Sequence, residues 1–184
     1  NTHVIGGQIS VEGDVSFEAT YDGWLKLAKH AFGSLSTTQP DPTNSPTVYE
    51  HTFTISDTPP AGLTVEVFRD TSQFSSEPNK SFVYSGCKVS AFEISCAVDE
   101  ILRVNCSFIG KDESRAVKSA DTYNAAKVAA FHQGVVKWNG VDIEASNFSF
   151  RIDNGYGLRP KLGSQYSREP VTENKIEVGG SFEM

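Results

Sequence analysis

The sequence lacks any long apolar segment. One of its longest uninterrupted apolar runs is Val128-Ala129-Ala130-Phe131. A membrane-spanning helix needs about 20 predominantly apolar residues. The sequence therefore predicts no transmembrane helix and no membrane partner.

Basic residues are scarce as well. The chain has 16 Lys and Arg against 23 Asp and Glu, for a formal net charge of −7. Non-specific binding to nucleic acid depends on clustered Lys and Arg that neutralise phosphates. This charge balance disfavours a protein that grips DNA.

Cysteine is rare, and no Cys-x-x-Cys or paired-histidine spacing is present. The three cysteines are Cys87, Cys96 and Cys106, and all of them lie in segments with a strand pattern. An odd number so placed fits reduced thiols better than a disulfide scaffold. We expect buried free thiols that pack as small hydrophobic side chains. A zinc site is the weaker alternative, since it needs several converging ligands.

Catalytic motifs are absent too. The sequence contains no Gly-x-Ser-x-Gly and no phosphate-binding loop, and Gly155-Tyr156-Gly157 lacks the third glycine of a nucleotide-binding turn. The histidines and the paired acids are scattered through the chain: His3, His30, His51, His132, Glu12 with Asp14, Asp99-Glu100 and Asp112-Glu113. A glycosidase pair would have to face across a cleft, whereas adjacent acids in turns are usually solvated. The sequence predicts no enzyme and no catalytic, cofactor-binding or metal-binding residue.

What the sequence does contain is strand periodicity over a domain-sized length. A chain of 184 residues with 38% hydrophobic residues fits one domain, residues 1–184, with a single core. Many short alternating segments and one helical segment predict a mainly β fold, a β-sandwich or barrel flanked by one α-helix. Two segments without apolar rhythm, residues 34–47 and 111–124, are predicted to be long loops.

The longest strand-like stretch is 82–110, which predicts an antiparallel hairpin. Its first arm alternates, and then the apolar phase shifts by one residue at Ala91 and Phe92, which predicts a β-bulge. Its second arm alternates from Leu102 to Phe108. Asp99 and Glu100 form the polar turn between the arms.

The one predicted helix is Tyr21–Phe32. Its apolar stripe contains Trp24, Leu27, Ala28 and Ala31. Asp22 is expected to cap its start and Gly33 its end.

Further segments carry strand or hairpin patterns, and others do not. The strand candidates are Gln8–Ala19, with a bend or close backbone approach at Gly13, then Val48–Ile55, Leu63–Phe68, Phe148–Asn154 and Lys175–Met184. Asn139-Gly140, within Val135–Ile143, is a strong hairpin signal, since both residues tolerate positive φ. Residues 70–80 and 158–173 are predicted to be irregular, and 125–131 is Ala-rich and could form a helical turn.

Several of these segments resemble one known family. Tyr84-Ser85-Gly86-Cys87-Lys88-Val89, then Cys96 to Leu102 and Ile109-Gly110-Lys111, is similar to a segment of the tail tube proteins of long-tailed bacteriophages. The Trp24–Gly33 helix and the strand that ends in Ile152-Asp153-Asn154 extend the likeness over most of the chain. At Asp99 the family pattern has a glycine.

The resemblance implies a structural virion protein of the siphovirus major tail tube type. Its subunits would form hexameric rings that stack into a hollow tail tube, and viral DNA would pass through the lumen without specific binding. The two predicted long loops would reach the rings above or below. The expected partners are other copies of the chain and other tail proteins, namely the tape measure, the tail terminator and the distal tail protein. The expected location is the virion tail, after assembly in the host cytoplasm.

Two alternatives stay open at this level. A tube protein of a contractile tail or of a secretion system would share the fold. A soluble β-sandwich module that binds carbohydrate or protein is the second alternative. Its candidate stacking residues would be Trp24, Tyr49, Trp138 and Tyr156.

Overall fold

The protein is mainly β in this computed structural model, which describes residues 6–21, 23–56, 58–69, 80–120, 122 and 126–184. Thirteen strands and one α-helix lie within those residues. They are β1 Val11–Glu18, α1 Leu25–Phe32, β2 Gly33–Thr38, β3 Glu50–Ile55, β4 Leu63–Phe68, β5 Lys80–Ala97, β6 Arg103–Gly110, β7 Asp112–Val117, β8 Val136–Trp138, β9 Val141–Ile143, β10 Asn147–Asp153, β11 Tyr156–Arg159, β12 Arg168–Thr172 and β13 Glu177–Glu183. The predicted fold class is confirmed as mainly β with a flanking helix. The strands do not close into a barrel within the described part of the chain.

The central element is an antiparallel five-stranded sheet in the order β1-β6-β5-β10-β13. Its register is regular along β10, where Phe150 lies opposite Ile94 on one side and Gly180 on the other. β1 pairs with β6 without a break along its whole length. Gly13 therefore does not interrupt the strand. The expected close approach there is wrong, because a Cβ at Gly13 would meet nothing within 4 Å.

The predicted hairpin is β5 and β6, and its bulge is confirmed. The pairing shifts between Val89, opposite Phe108, and Ala91, opposite Ser107. The extra residue restores the alternation, so that Val89 and Phe92 both face the core. Asp99 has φ +65° in the turn, so it adopts the left-handed conformation that favours glycine.

One face of the sheet is covered by α1 and by the β2–β3 hairpin. The core contains Ala28 and Ala31 of the helix packed against Val89, Phe92 and Ile152 of the sheet. The helix begins four residues later than predicted, at Leu25, and Trp24 occupies the N-cap position without a side-chain cap. The predicted cap Asp22 lies outside the described residues. Gly33 ends the helix with φ +95°, as predicted.

The first half of β5 extends beyond the five-stranded sheet. Residues 80–85 pair with β4 on one side and with β7 on the other. We call these three paired segments the arm. Because β5 has 18 residues, it joins the arm to the sheet as one continuous strand.

Both predicted long loops are wrong in part. Residues 33–38 form β2, which pairs with β3 from Gly33 opposite Ile55 to Thr38 opposite Glu50. Residues 112–117 form β7 in the arm. Both strands are polar and largely exposed, so they show no apolar alternation, and backbone pairing holds them in place. Of the other predicted irregular segments, 70–79 lies outside the described residues.

In the C-terminal half, some of the predicted elements are confirmed and others are wrong. The Asn139-Gly140 turn is confirmed, with φ +49° and +81° between β8 and β9. β4 and β10 lie where predicted, and β13 lies within the predicted last strand. The predicted irregular segment 158–173 is wrong, because β11 pairs with β12 there. The Ala-rich stretch forms bridges through Val128 and Ala130, and the helical turn, Phe131–Gln133, comes only at its end. No described helix is long and apolar enough to cross a membrane.

Candidate assembly surface

The face of the five-stranded sheet opposite α1 is polar from edge to edge. Residues directly opposite each other in an antiparallel sheet project from the same face, so the register groups polar residues of all five strands. We call this set the polar face: Asp14, Ser16, Glu18, Glu93, Ser95, Arg103, Asn105, Ser107, Asn147, Ser149, Arg151, Asp153, Glu177, Ser181 and Glu183. All fifteen side chains are exposed or half-buried, and the β11–β12 hairpin lies against β5 and β6 at the end of the sheet near Lys88.

The polar face is acidic. It contains six carboxylates and two arginines, and Arg151 lies 3.6 Å from Glu93 and 3.4 Å from Asp153. These pairs are largely exposed, so each stabilises the fold only slightly. Ser149 and Ser181 share a hydrogen bond of 2.8 Å. The face is therefore a wide, negatively charged surface that combines charged side chains with short polar ones.

The sheet has two free edges, β1 and β13, within the described residues. Free edges expose unpaired N–H and C=O groups that can pair with another chain. Each strand of the sheet is antiparallel to its neighbour, and the sheet has five strands. The two edge strands consequently run in the same direction. If two copies are related by rotation about an axis along the strands, β13 of one copy can therefore pair with β1 of the other only in parallel.

The apolar side of the sheet is partly exposed near both edges. The exposed fraction is 41% for Val15 on β1, 51% for Val178 on β13 and 42% for Phe182 on β13. By contrast, Val104 and Ile152 on the inner strands are fully buried. The layer formed by α1 and the β2–β3 hairpin is thus narrower than the sheet that it covers.

An open apolar groove of about 810 Å³ lies at the end of the sheet where β5 stops. Its walls include Trp24, Leu102, Phe131, Ile143 and Phe148. The rim of the groove also carries exposed valines, at Val98 and Val135. The arm lies at the other end of β5, so the groove and the arm occupy opposite ends of the molecule.

The arm is held by cation–π contacts and by hydrogen bonds to one carboxylate. The guanidinium of Arg115 lies 4.5 Å from the ring centre of Phe82, and the Lys118 ammonium lies 4.8 Å from that of Phe68. The carboxylate of Glu66 accepts hydrogen bonds from the Ser119 hydroxyl and backbone N–H. These bonds, led by that of the Ser119 hydroxyl, lower the pKa of Glu66 to about 2. These contacts fix residues 118 and 119 to the arm.

Two buried polar side chains connect the layers, and neither was recognised from the sequence. Lys88 is 6% exposed; its ammonium lies 2.7 Å from Glu169 Oε1 and donates to the Pro60 carbonyl. Lys88 lies opposite Ile109, on the same side of the hairpin as Ser107, so it is buried on the side where alternation had placed it. Asn154 Nδ2 donates to the carbonyls of Ala31 and Val89, each at 2.9 Å. The only sequence signal for Asn154 was its place at the end of a strand.

The cysteines are free and buried, as predicted. Burial raises the pKa of all three thiols, and raises that of Cys106 to about 12. A thiol is a nucleophile and a metal ligand only as the thiolate. These three side chains therefore act as core residues.

The histidines do not come together. Burial, followed by the charge of Lys29, lowers the pKa of His30. His51 is bonded to the Thr37 hydroxyl, and His132 packs edge-on against Phe131. His3 lies outside the described residues, within which no group of three His, Cys, Asp or Glu side chains could hold a metal ion.

The four aromatic residues considered for ligand stacking are also dispersed. Trp24 stacks on Phe92 with ring centres 6.2 Å apart, as a core residue would. Trp138 is exposed in the β8–β9 hairpin and packs on Phe182. Tyr49 is exposed ahead of β3, and Tyr156 lies in β11. They form no common platform.

Comparison with known proteins identifies a family for this chain. The family model described as phage tail tube protein matches residues 4–184. Comparison with curated proteins gives no match. The family match spans both layers, the arm and both edge strands. This chain belongs to the phage tail tube protein family, and its role is that of a structural component of the virion tail.

Proposed function

We propose that copies of this chain close into hexameric rings, that the rings stack into a tube, and that the polar face lines a bore through which viral DNA passes during ejection. Residues 1–184 act as one domain in this proposal. The observation that carries it is the polar face on a sheet with two free edges. Assembly takes place in the host cytoplasm, and the tape measure, tail terminator and distal tail proteins are the further partners.

The edges and their apolar flanks support ring closure. A contact between two different edges of identical subunits is heterologous, and it closes into a ring when the rotation between subunits permits. β13 of one copy beside β1 of the next would bring Val178 and Phe182 close to Val15. Burial of these partly exposed side chains supplies a hydrophobic contribution at every junction. Joining the edges also removes the open strands that favour uncontrolled aggregation.

The composition of the polar face supports passage of DNA. Lys and Arg side chains in a bore would bind phosphates and release counterions, and such binding would retain the DNA. The polar face has three times as many carboxylates as arginines, and both arginines have acidic neighbours in the sheet register. A bore with this lining repels the phosphate backbone.

The position of the arm and the groove supports stacking. They lie at opposite ends of β5, so copies related by translation along the tube axis would bring the arm of one ring towards the groove of the next. Val117 in the arm is 79% exposed, and the groove presents an apolar surface. In the arm, β7 replaces the loop that was expected to make the stacking contacts.

Selective labelling tests which face lines the bore. Two variants, Ser16→Cys on the polar face and Lys26→Cys on the exposed side of α1, each add one exposed thiol to a chain whose own cysteines are buried. A bulky polymer-linked maleimide should label both variants in the dissociated protein. In purified tubes it should label Lys26→Cys and leave Ser16→Cys unmodified. The reverse pattern would place α1 in the bore and refute the proposed orientation.

Assembly itself is tested by microscopy and light scattering over a range of protein and salt concentrations. Like-charged subunits repel each other, and salt screens that repulsion with a length of about 8 Å at physiological ionic strength. Rings and tubes should therefore form more readily as salt rises. A protein that stays monomeric under every condition would contradict the tube and favour the soluble binding module.

An edge variant sharpens this test. Phe182→Lys places a charge at the proposed junction and should abolish rings while the far-ultraviolet circular dichroism stays unchanged. The matched control is Leu162→Lys, at a fully exposed residue in the turn between β11 and β12. Normal assembly of Phe182→Lys would show that β13 is not at the junction.

A further inference from the structure

The sequence contains two Asn-Gly pairs, Asn139-Gly140 and Asn154-Gly155. Asn-Gly is chemically labile because glycine has no side chain to shield its backbone nitrogen from the preceding Asn side chain. We propose that Asn139 is a site of spontaneous deamidation in the folded protein and that Asn154 is protected from the same reaction. The inference is independent of ring formation.

Asn139 lies where the reaction can proceed. It is exposed, and its side-chain amide makes no hydrogen bond with the described residues. A Cβ at Gly140 would meet nothing within 4 Å, so the turn has free space around it. The flanking strands β8 and β9 have three residues each and form a separate two-stranded sheet. An isolated two-stranded hairpin is only marginally stable, so local opening gives the turn the freedom to reach the reactive geometry.

Asn154 has the same neighbour and the opposite surroundings. It is 3% exposed, and its amide nitrogen is held by the carbonyls of Ala31 and Val89. The nitrogen that would attack, that of Gly155, donates its hydrogen to Asp153 Oδ1 at 3.0 Å. Gly155 is also tightly packed, since a Cβ there would lie 2.9 Å from Asn174. Both reacting groups are immobilised.

The reaction needs no enzyme and no cofactor. The backbone nitrogen of Gly140 loses its proton to solvent and attacks Cγ of Asn139, which forms a five-membered succinimide as the side-chain amide leaves as ammonia. Water then opens the succinimide at either of its two carbonyls. One product is an aspartate in the normal linkage and the other is an isoaspartate, and each carries one additional negative charge at this position.

The isoaspartyl product changes the backbone. It adds a methylene group to the main chain, and a two-residue hairpin turn has no room for it without a change of register. Trp138 precedes the turn and packs on Phe182 of the edge strand β13, with ring centres 6.0 Å apart. The modification is therefore expected to weaken the contact between the β8–β9 hairpin and β13.

The test is peptide mapping by mass spectrometry after incubation of the full-length protein at physiological temperature and mildly alkaline pH. In native protein, the mass increase of an amide-to-acid conversion should appear at Asn139 at least about tenfold faster than at Asn154. The reason is that the Asn154 side chain must first lose two buried hydrogen bonds. In urea, where neither asparagine is held, the two sites should convert at similar rates.

A variant provides the control. Asn139→Gly keeps a residue that accepts positive φ in the turn and removes the reacting amide, so native protein should then show no conversion in this peptide. Equal conversion of the two asparagines in native protein would overturn the proposal. So would the absence of conversion at Asn139 in native protein when the urea sample converts.

Discussion

Replacement of Asn154 by alanine should cost the domain a large part of its stability. Asn154 Nδ2 holds the carbonyl of Ala31 near the end of α1 and the carbonyl of Val89 beside the bulge of β5. The side chain thereby joins the helix layer to the sheet. Each buried hydrogen bond contributes about 1 kcal/mol, and a buried carbonyl left without a partner costs about 1 to 3 kcal/mol. We therefore expect Asn154→Ala to lower the free energy of unfolding by about 2 to 4 kcal/mol.

The measurement is urea unfolding at a protein concentration at which the chain is monomeric, followed by tryptophan fluorescence. Trp24 reports on the core because it stacks on Phe92. The matched control is Asn147→Ala at the other end of β10, whose Nδ2 donates to the exposed Glu183 carboxylate at 2.6 Å. Its loss should change the free energy of unfolding by about 0.5 kcal/mol or less. If the two variants lost equal stability, the buried connection would not have the role assigned to it.

Three further changes test other parts of the fold. Asp99→Ala should lower the free energy of unfolding by about 1 kcal/mol, because alanine is strained at positive φ. Asp99→Gly should not lower it, and Glu100→Ala in the same turn serves as a control. Glu169→Gln should lower the free energy of unfolding by about 1 to 2 kcal/mol, because it leaves the buried ammonium of Lys88 with a weaker partner; the loss is smaller than for a fully buried pair because Glu169 is half exposed. Adding Lys88→Met should restore most of that stability. A double variant as unstable as Glu169→Gln alone would refute the pairing. The three thiols should be unreactive towards a thiol reagent in native protein and all reactive in urea, and fast labelling of native Cys106 would contradict its burial. Burial raises the folded pKa of Cys106 from 9.0 to about 12. The contribution of Cys106 to stability is therefore complete below pH 9 and is lost as the pH rises towards 12.

Several features of the fold could be predicted because they depend on local pattern. Apolar alternation located β4, β10 and the β5–β6 hairpin, and the one-residue phase shift located the bulge between Val89 and Ala91. Positive-φ chemistry located the Asn139-Gly140 turn and the end of α1 at Gly33. These features are readable because each is encoded within a few consecutive residues.

Other features depend on pairing between distant segments and emerged only from the folded chain. The polar strands β2 and β7 carry no alternation, and their backbones are ordered by partners 12 residues or more away along the chain, as for Thr38 and Glu50. Lys88 has the spacing of a solvent-facing residue, yet Glu169 and Pro60 bury it. The polar face is likewise invisible in any single strand. It exists because the order β1-β6-β5-β10-β13 places acidic and small polar side chains of five strands side by side, and strand order is set by long-range packing that no local pattern contains.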